Sequence, residues 1–319
     1  MLRRQDVGHR VVVRRIVGVR NDRPLYSDAL GELVEITETD LTIATSKGPL
    51  RVPLAEIHRA KRVPPTRRPN ATDVVALELA ANEAWPAPVQ EHLGGWLLRA
   101  AEGWTGRGNS ALPIGDPDRP LEAAVDAVEE WYLARGAQPL INTPLPLAAP
   151  VGAALDTRGW TARPLTLVQT APLRSILDAT PPRGRVDLTR TPSDAWLEIA
   201  AGRKGGLPDA ARHILTAVRR IRFAHMYDES GALLAVGRGT VTGGGQWLGL
   251  ALIEVVPDAR RGGLAKDVIG ALARWAAETG TSRAFLQVEE RNTAAVGLYS
   301  KLGFATHHSY LTREGPKPA

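Results

Sequence analysis

The stretch VVPDARRGGLAKDVIGALARWAAE, residues 255–278, passes from the end of an apolar strand into a helix through two arginines and two glycines. A simple turn has no use for that chemistry, and an anion-binding site does. The first turn of a helix presents N–H groups without intrahelical acceptors, together with the positive end of the helix dipole. Gly262 and Gly263 allow close approach and unusual dihedrals, Ala265 leaves the helix start uncluttered, and Arg260 and Arg261 add charge. The expected ligand is phosphorylated, most simply a pyrophosphate; a glycine-rich connection with solvent-facing arginines is the alternative. Other phosphate loops fit less well. No GxxxxGK followed by Ser or Thr occurs, and GRGTVTGGG does not supply a GxGxxG turn.

Working outward, Leu264, Val268, Leu272 and Trp275 fall on one face of the helix, which Gly280 ends. Upstream, IRFAHMYDESGALLAVGRGTVTGGGQWLGLALIEVVP reads as a three-strand meander with turns at ESG and GGG. VDLTRT is a strand before it, followed by helices in PSDAWLEIAAG and DAARHILTAVRR, with KGGLP between them. Downstream come strand RAFLQVEE, helix TAAVGLYSKLG and strand FATHHSYLTRE.

Two proline-rich basic stretches, KRVPPTRRPNAT (61–72) and DATPPRGRVD (178–187), divide the chain. The first segment reads as short strands with an SKG hairpin turn, enough for a small barrel resembling the Src-homology-3 type. The middle segment opens with helix TDVVALELAANEAW, expected to be capped by Thr72 or Asp73, and carries a second helix between Pro120 and Gly136. Its loop WTGRGNS (104–110) reads as a hairpin turn, with a substrate contact as the alternative. VGAALDTRGWTARPLTL (151–167) parallels VGLYSKLGFATHHSYL (296–311), with Gly159 over Gly303 and Trp160 over Phe304, which suggests an internal duplication.

The chain has 319 residues, 44% hydrophobic and 23% charged, and no cysteine, so disulfides and thiolate chemistry are excluded. No apolar run approaches the ~20 residues of a membrane span, and a soluble cytoplasmic protein is expected. Residues 1–70 hold 14 Lys and Arg against 8 Asp and Glu, so the whole formal excess of +6 lies there. That is a solvated basic surface or, without stacking aromatics to support it, a nucleic-acid contact. Adjacent His307 and His308 would face opposite sides of a strand, which makes them poor candidates for a shared metal site, and HExxH is absent.

From Ile253 to Phe304 the order IEV-VPDA-RRGGLAK, helix, LQVEERN, AAVGLYSKLGF strongly resembles the GNAT superfamily of N-acetyltransferases, nearest the ribosomal-protein alanine N-acetyltransferase branch. The likeness is specific over about residues 246–311 and extends from about 186. Together with the strands and boundaries of the earlier segments, it gives an α/β (α+β) chain with three parts: a small all-β barrel at 1–65, a degenerate GNAT-like lobe without a phosphate loop at 72–178, and a catalytic GNAT domain at 186–319, for which the resemblance implies a mixed sheet and splayed parallel strands. Two-lobed members such as mycothiol synthase have a similar plan.

The resemblance further implies a bacterial, cytoplasmic transferase that uses acetyl-CoA as acyl donor, with no metal, and an amine acceptor. The pantetheine arm would pair with Ile253, Glu254 and Val255. The pyrophosphate would sit on the N–H groups of residues 261–266, so Arg260, Arg261, Gly262, Gly263, Leu264, Ala265 and Lys266 are the expected cradle. Asn292 would hydrogen-bond the pantetheine side, or cap its helix, or both. Tyr299 would protonate the leaving thiolate, a step suited to a phenol that is protonated at pH 7. Where the nearest branch has a glutamate base on the second splayed strand, this chain has Gln287, and an amide cannot serve as a base. Glu254 and Glu289 are the nearby substitutes, with a salt bridge as the other reading of Glu254. This departure leaves the acceptor open, the ribosomal protein included. A CoA-sensing or nucleic-acid-binding module, and an unrelated phosphate-binding protein, are the competing readings.

Overall fold

The computed structural model describes all residues except 1, 4–5, 21–22, 46–47, 64–68, 203–206 and 318–319. Parts of the expected SKG turn, of the first proline-rich stretch and of KGGLP therefore lie outside the described residues. The chain divides into two units, Met1–Arg68 and Pro69–Ala319.

The first unit is a five-stranded antiparallel sheet: β1 (Arg10–Arg20), β2 (Arg23–Ile36), β3 (Asp40–Thr45), β4 (Gly48–Pro53) and β5 (Ile57–Arg62), in the order β4-β3-β2-β1-β5. Alternation places Val11, Val13, Leu33, Leu41, Ile43 and Val52 on one buried face, which is the small core this segment can form.

The second unit opens with α1 (Ala71–Ala84). Its cap is Asn70, not Thr72 or Asp73: the Asn70 side chain accepts from Asp73 N at 2.8 Å, and the Asp73 carboxylate accepts from Asn70 N at 3.3 Å. The reciprocal box satisfies two donors, which a cap one turn later would leave open. There follow β6 (Val89–Leu93), β7 (Trp96–Ala100), β8 (Leu112–Pro113), α2 (Leu121–Leu133), β9 (Leu140–Leu145), α3 (Ala149–Thr157), β10 (Thr161–Ala162), β11 (Thr166–Pro172) and α4 (Leu173–Ala179). After them come β12 (Asp187–Thr189), α5 (Asp194–Ala201), α6 (Asp209–Thr216), β13 (Ile221–Tyr227), β14 (Leu233–Thr242), β15 (Trp247–Val255), α7 (Leu264–Glu278), β16 (Arg283–Glu289), α8 (Thr293–Lys301) and β17 (Ala305–Glu314).

Among the described residues, nine of these strands form one mixed sheet, ordered β10-β17-β11-β16-β15-β14-β13-β12 with β9 also on β17. Strand β11, from the expected middle lobe, lies between β16 and β17, so the segments 72–178 and 186–319 share a single sheet. The strands alternate between two cores. Leu248, Leu250 and Leu286 pack with Val268, Ile269 and Leu272 of α7, while Trp247, Phe285 and Tyr310 pack with Leu77 and Ala81 of α1. Full burial of each aliphatic side chain contributes about 1.5–3 kcal/mol. The helix α7 approaches so closely that β14 must be side-chain-free beneath it: a Cβ on Gly237 would lie 2.5 Å from Val268 Cγ1.

The element order repeats. β6-β7-β8-α2-β9-α3-β10 matches β13-β14-β15-α7-β16-α8-β17, and Ala111, just before β8, bridges Ile141 of β9 in parallel as β15 pairs with β16. Both second helices end alike. Gly159 and Gly303 have φ of 76° and 88°, and Trp160 N and Phe304 N donate back to Leu155 O and Tyr299 O.

Candidate active site

Strands β15 and β16 run parallel and in register from Trp247 opposite Arg283 to Leu250 opposite Leu286. There the pairing stops, although β15 continues to Val255 and β16 to Glu289. The cause lies on the other edge of β15. Its ladder with β14 slips between Arg238–Ala251 and Val236–Glu254, and Leu252 in the slip has φ of 53°. A bulge bends and twists the strand that carries it, and a leucine in the left-handed region costs about 1–2 kcal/mol. The strand thereby turns away from β16 and leaves the β16-facing edge of residues 251–255 without a ladder.

The opening is a cleft of about 740 Å³ whose lining includes Ile253, Glu254, Gln287, Asn292 and Tyr299. Four of the expected residues, drawn from β15, the turn before α8 and α8 itself, thus meet in one place. Asn292 caps α8, its Oδ1 accepting from Ala295 N at 3.2 Å, which leaves its amide nitrogen for other use. Tyr299 is half-buried and packs edge-on against Phe304, with ring centroids 5.8 Å apart.

Val255 and residues 260–266 are not part of that lining; they follow the strand at its far end. A 3-10 turn over Pro257–Ala259 leads to Arg261 and Gly263, with φ of 66° and 88°, and then to α7. Changes of φ sign curl the chain so that successive N–H groups converge, as in an anion nest. The N–H groups of residues 261–265 donate to no acceptor among the described residues. That of Lys266 donates to Gly263 O at 2.8 Å, so the available cradle is one residue shorter than expected. Arg260 folds back, its Nε 3.2 Å from Val255 O.

Gln287 is engaged from below: the Tyr310 hydroxyl donates to its Oε1 at 3.1 Å. Burial raises the Tyr310 pKa, so the phenol stays a donor. Glu289, one of the two substitutes for a missing base, lies 2.6 Å from Arg291 Nε. The histidines depart from expectation. His308 opposes Val168 and Thr306 opposes Gln169, so the ladder slips at His307. The bulge turns both rings to the same side, with Nδ1 atoms 2.9 Å apart, and His308 Nε2 lies 2.7 Å from Glu78 Oε1. Among the described residues no group of three or more His, Cys, Asp or Glu is placed to hold a metal.

The cleft also receives residues the motif did not indicate, Trp85 from the end of α1 and Arg107 from the loop after β7. Trp85 stacks on Trp104 at 5.2 Å and donates from Nε1 to Thr105 Oγ1 at 3.1 Å, and the Arg107 guanidinium sits 4.7 Å from the Trp85 ring centre. The polar loop 104–110 was the available signal, but nothing in the spacing joins it to residue 299.

Comparison with known proteins follows the same lines. The family model described as "Probable histone acetyltransferase Rv0428c C-terminal" matches residues 71–312. An uncharacterized N-acetyltransferase, YobR, of Bacillus subtilis is 33% identical over 256 residues, covering 76% of this chain and 99% of that protein. The probable histone acetyltransferase Rv0428c of Mycobacterium tuberculosis is 30% identical over 316 residues, covering 95% of this chain and 93% of that one. A GCN5-related N-acetyltransferase from Kribbella flavida shares the fold, with a TM-score of 0.58 at 15% identity over 77% of this chain and 95% of its own.

Proposed function

Because the chain belongs to the GNAT superfamily of N-acetyltransferases and is an acyltransferase, we propose that it transfers an acetyl group from acetyl-CoA to a primary amine by direct attack on the thioester. The observation that carries this reading is the parting of β15 and β16 at the Leu252 bulge, with Tyr299 and Glu254 lining the cleft so opened.

In this reading the edge of residues 253–255, past the end of the ladder to β16, receives the pantetheine arm as an added strand would, and the N–H groups of residues 261–265 hold the diphosphate. A backbone N–H of the same edge stabilises the oxyanion that forms when the amine adds to the carbonyl. Collapse of that intermediate breaks the C–S bond, and Tyr299 gives its proton to the departing thiolate. The amine needs a proton acceptor. Gln287 is an amide and cannot accept the proton, and Glu254, which lines the cleft on the bulged strand, takes this role.

The lobe 72–178 has no second site in this reading. Leu155 stands where Tyr299 stands in the repeat, and α2 starts at Leu121 after DPDR and the cap Pro120 rather than after glycines. Its use is to wall the acceptor side of the cleft. Among the described residues no helix is long and apolar enough to cross a membrane; we place the reaction in the cytoplasm, where acetyl-CoA is made and spent.

The test follows free CoA release from acetyl-CoA over a panel of amines. Acceptor-dependent release that collapses in Tyr299→Phe supports the proposal. Binding of acetyl-CoA with no release for any amine would turn the reading to a CoA-sensing module.

A further inference from the structure

Three arginines are held near the junction of the two lobes, and they differ in one respect. Arg99 donates to Ser110 O at 2.8 Å, Ser110 Oγ at 3.1 Å and Asn82 Oδ1 at 3.3 Å. Arg238 donates to Leu215 O, Ala84 O and Ile214 O at 3.0, 2.8 and 2.9 Å. Arg107 has no such partner. Its Nε is sealed from solvent without an acceptor, and none of its guanidinium N–H groups donates to a described atom. Among the described residues its ring contact is Trp85. A guanidinium has five donors and never gives up its charge, so a buried donor left without an acceptor is costly.

The residue faces a space shaped to supply the match. Arg107 lines both the 740 Å³ cleft and an adjoining cavity of about 460 Å³, and Gln287 and Glu289 line both as well. The loop that carries it is held firmly in an unfavourable shape. Glu102 and Thr105 have φ of 49° and 64°. The Asn109 side chain ties the loop by accepting from Ala101 N and Gly103 N at 2.7 and 3.0 Å and donating to Trp104 O and Thr105 O at 2.9 and 2.8 Å. Non-glycine residues in that region persist where the surroundings over-determine them, which is common at ligand sites.

We propose that Arg107 anchors a carboxylate on the amine acceptor, so that the acceptor is an amino-acid-like molecule carrying both charges. The inference rests on the acetyl-transfer reading and names its substrate class. A planar guanidinium and a carboxylate match in a two-bond fork. The acetyl-transfer reading supplies the amine and Arg107 the match for one carboxylate, so a molecule carrying both groups fits the cleft.

The test compares amino acids with their carboxamides, acetyl-CoA being the donor and the full chain the enzyme. Wild type acetylates at least one amino acid with kcat/KM about tenfold or more above its carboxamide. Arg107→Gln brings that pair level by raising KM for the amino acid, with KM for acetyl-CoA unchanged, and Arg107→Lys keeps part of the preference. Equal rates in wild type, or a preference that survives in Arg107→Gln, overturn the proposal. A wild-type preference for succinyl-CoA over acetyl-CoA that is lost in Arg107→Gln assigns the carboxylate to the acyl group and also overturns it. Calorimetry with N-acetyl amino acids and N-acetyl carboxamides reads the same preference without turnover. Absence of carboxylate-dependent heat across that panel overturns the proposal, whereas failure to bind acetyl-CoA strikes only at the acetyl-transfer reading.

Discussion

The hydroxyl of Tyr310 donates to Oε1 of Gln287 at 3.1 Å, from a tyrosine buried between the sheet and α1. Position 287, where the resemblance read from the sequence led to the expectation of a glutamate base, is therefore a neutral amide held by a phenol. Gln287→Ala removes one partner of the Tyr310 hydroxyl, beside which Thr166 remains, a loss of about 0.5–1.5 kcal/mol in urea unfolding. Its kcat should stay within about tenfold of wild type, while Glu254→Gln lowers kcat by ~100-fold or more, as expected for loss of a base. The reverse ranking in steady-state assays would transfer the role away from Glu254.

Gly262 offers a test of the anion cradle that separates binding from folding. A Cβ there meets nothing closer than Ala259 O at 3.5 Å, so an aspartate fits. A carboxylate near a helix N-terminus leaves the fold unchanged or slightly stabilised, by about 0.3–1 kcal/mol. The same charge repels a diphosphate. Gly262→Asp should therefore weaken acetyl-CoA binding by about tenfold or more in calorimetry, with an undiminished melting temperature.

Two glycines on the way to the site should respond with opposite sign. In Gly237→Ala the new methyl would lie 2.5 Å from Val268 Cγ1 and 2.8 Å from Ile253 Cδ1, and the overpacking costs about 1–3 kcal/mol. Gly297, inside α8, has open space around an added Cβ, and Gly297→Ala should stabilise by about 0.5–1 kcal/mol. Thermal melts check both, at about 2–4 °C for each kcal/mol.

Burial, and then the neighbouring His308, hold the His307 pKa down to about 4 from the ordinary 6.5. The unfolded chain takes up this proton first as pH falls. The associated stability is whole above pH 6.5 and is lost progressively toward pH 4. The ring is half-exposed, so solvent screening limits the loss to about 1 kcal/mol. Urea unfolding at neutral pH and near pH 4 should show this decline, and His307→Gln should flatten it.

The parts of the site legible in the sequence are those made by neighbours along the chain. The glycines and alanine of 262–265, the meander before them, Asn292 at a helix start and Tyr299 one turn short of Gly303 all declare local geometry through residue type. The bulge did not declare itself, because its left-handed residue is Leu252, where glycine or asparagine would have been the recognisable sign. The slip at His307 involves no left-handed residue, so it asks for no particular residue type and leaves no sign in the sequence. Thr72 and Asp73 stand nearer the apolar pattern than Asn70, and only the reciprocal Asn70–Asp73 bonds single out Asn70 as the cap. Arg107 belongs to a loop whose composition reads as an ordinary turn.

By itself the sequence determined the order of strands and helices, the anion-ready start of α7 and the placing of a phenol on α8, since each depends on contacts spanning a few residues. Only the tertiary structure decided that β11 enters the sheet between β16 and β17, that β15 and β16 part at Leu250, and that Arg107 joins Tyr299 across the cleft. Strand partners and bulges are chosen by packing between segments far apart in the chain, and no single segment carries that information.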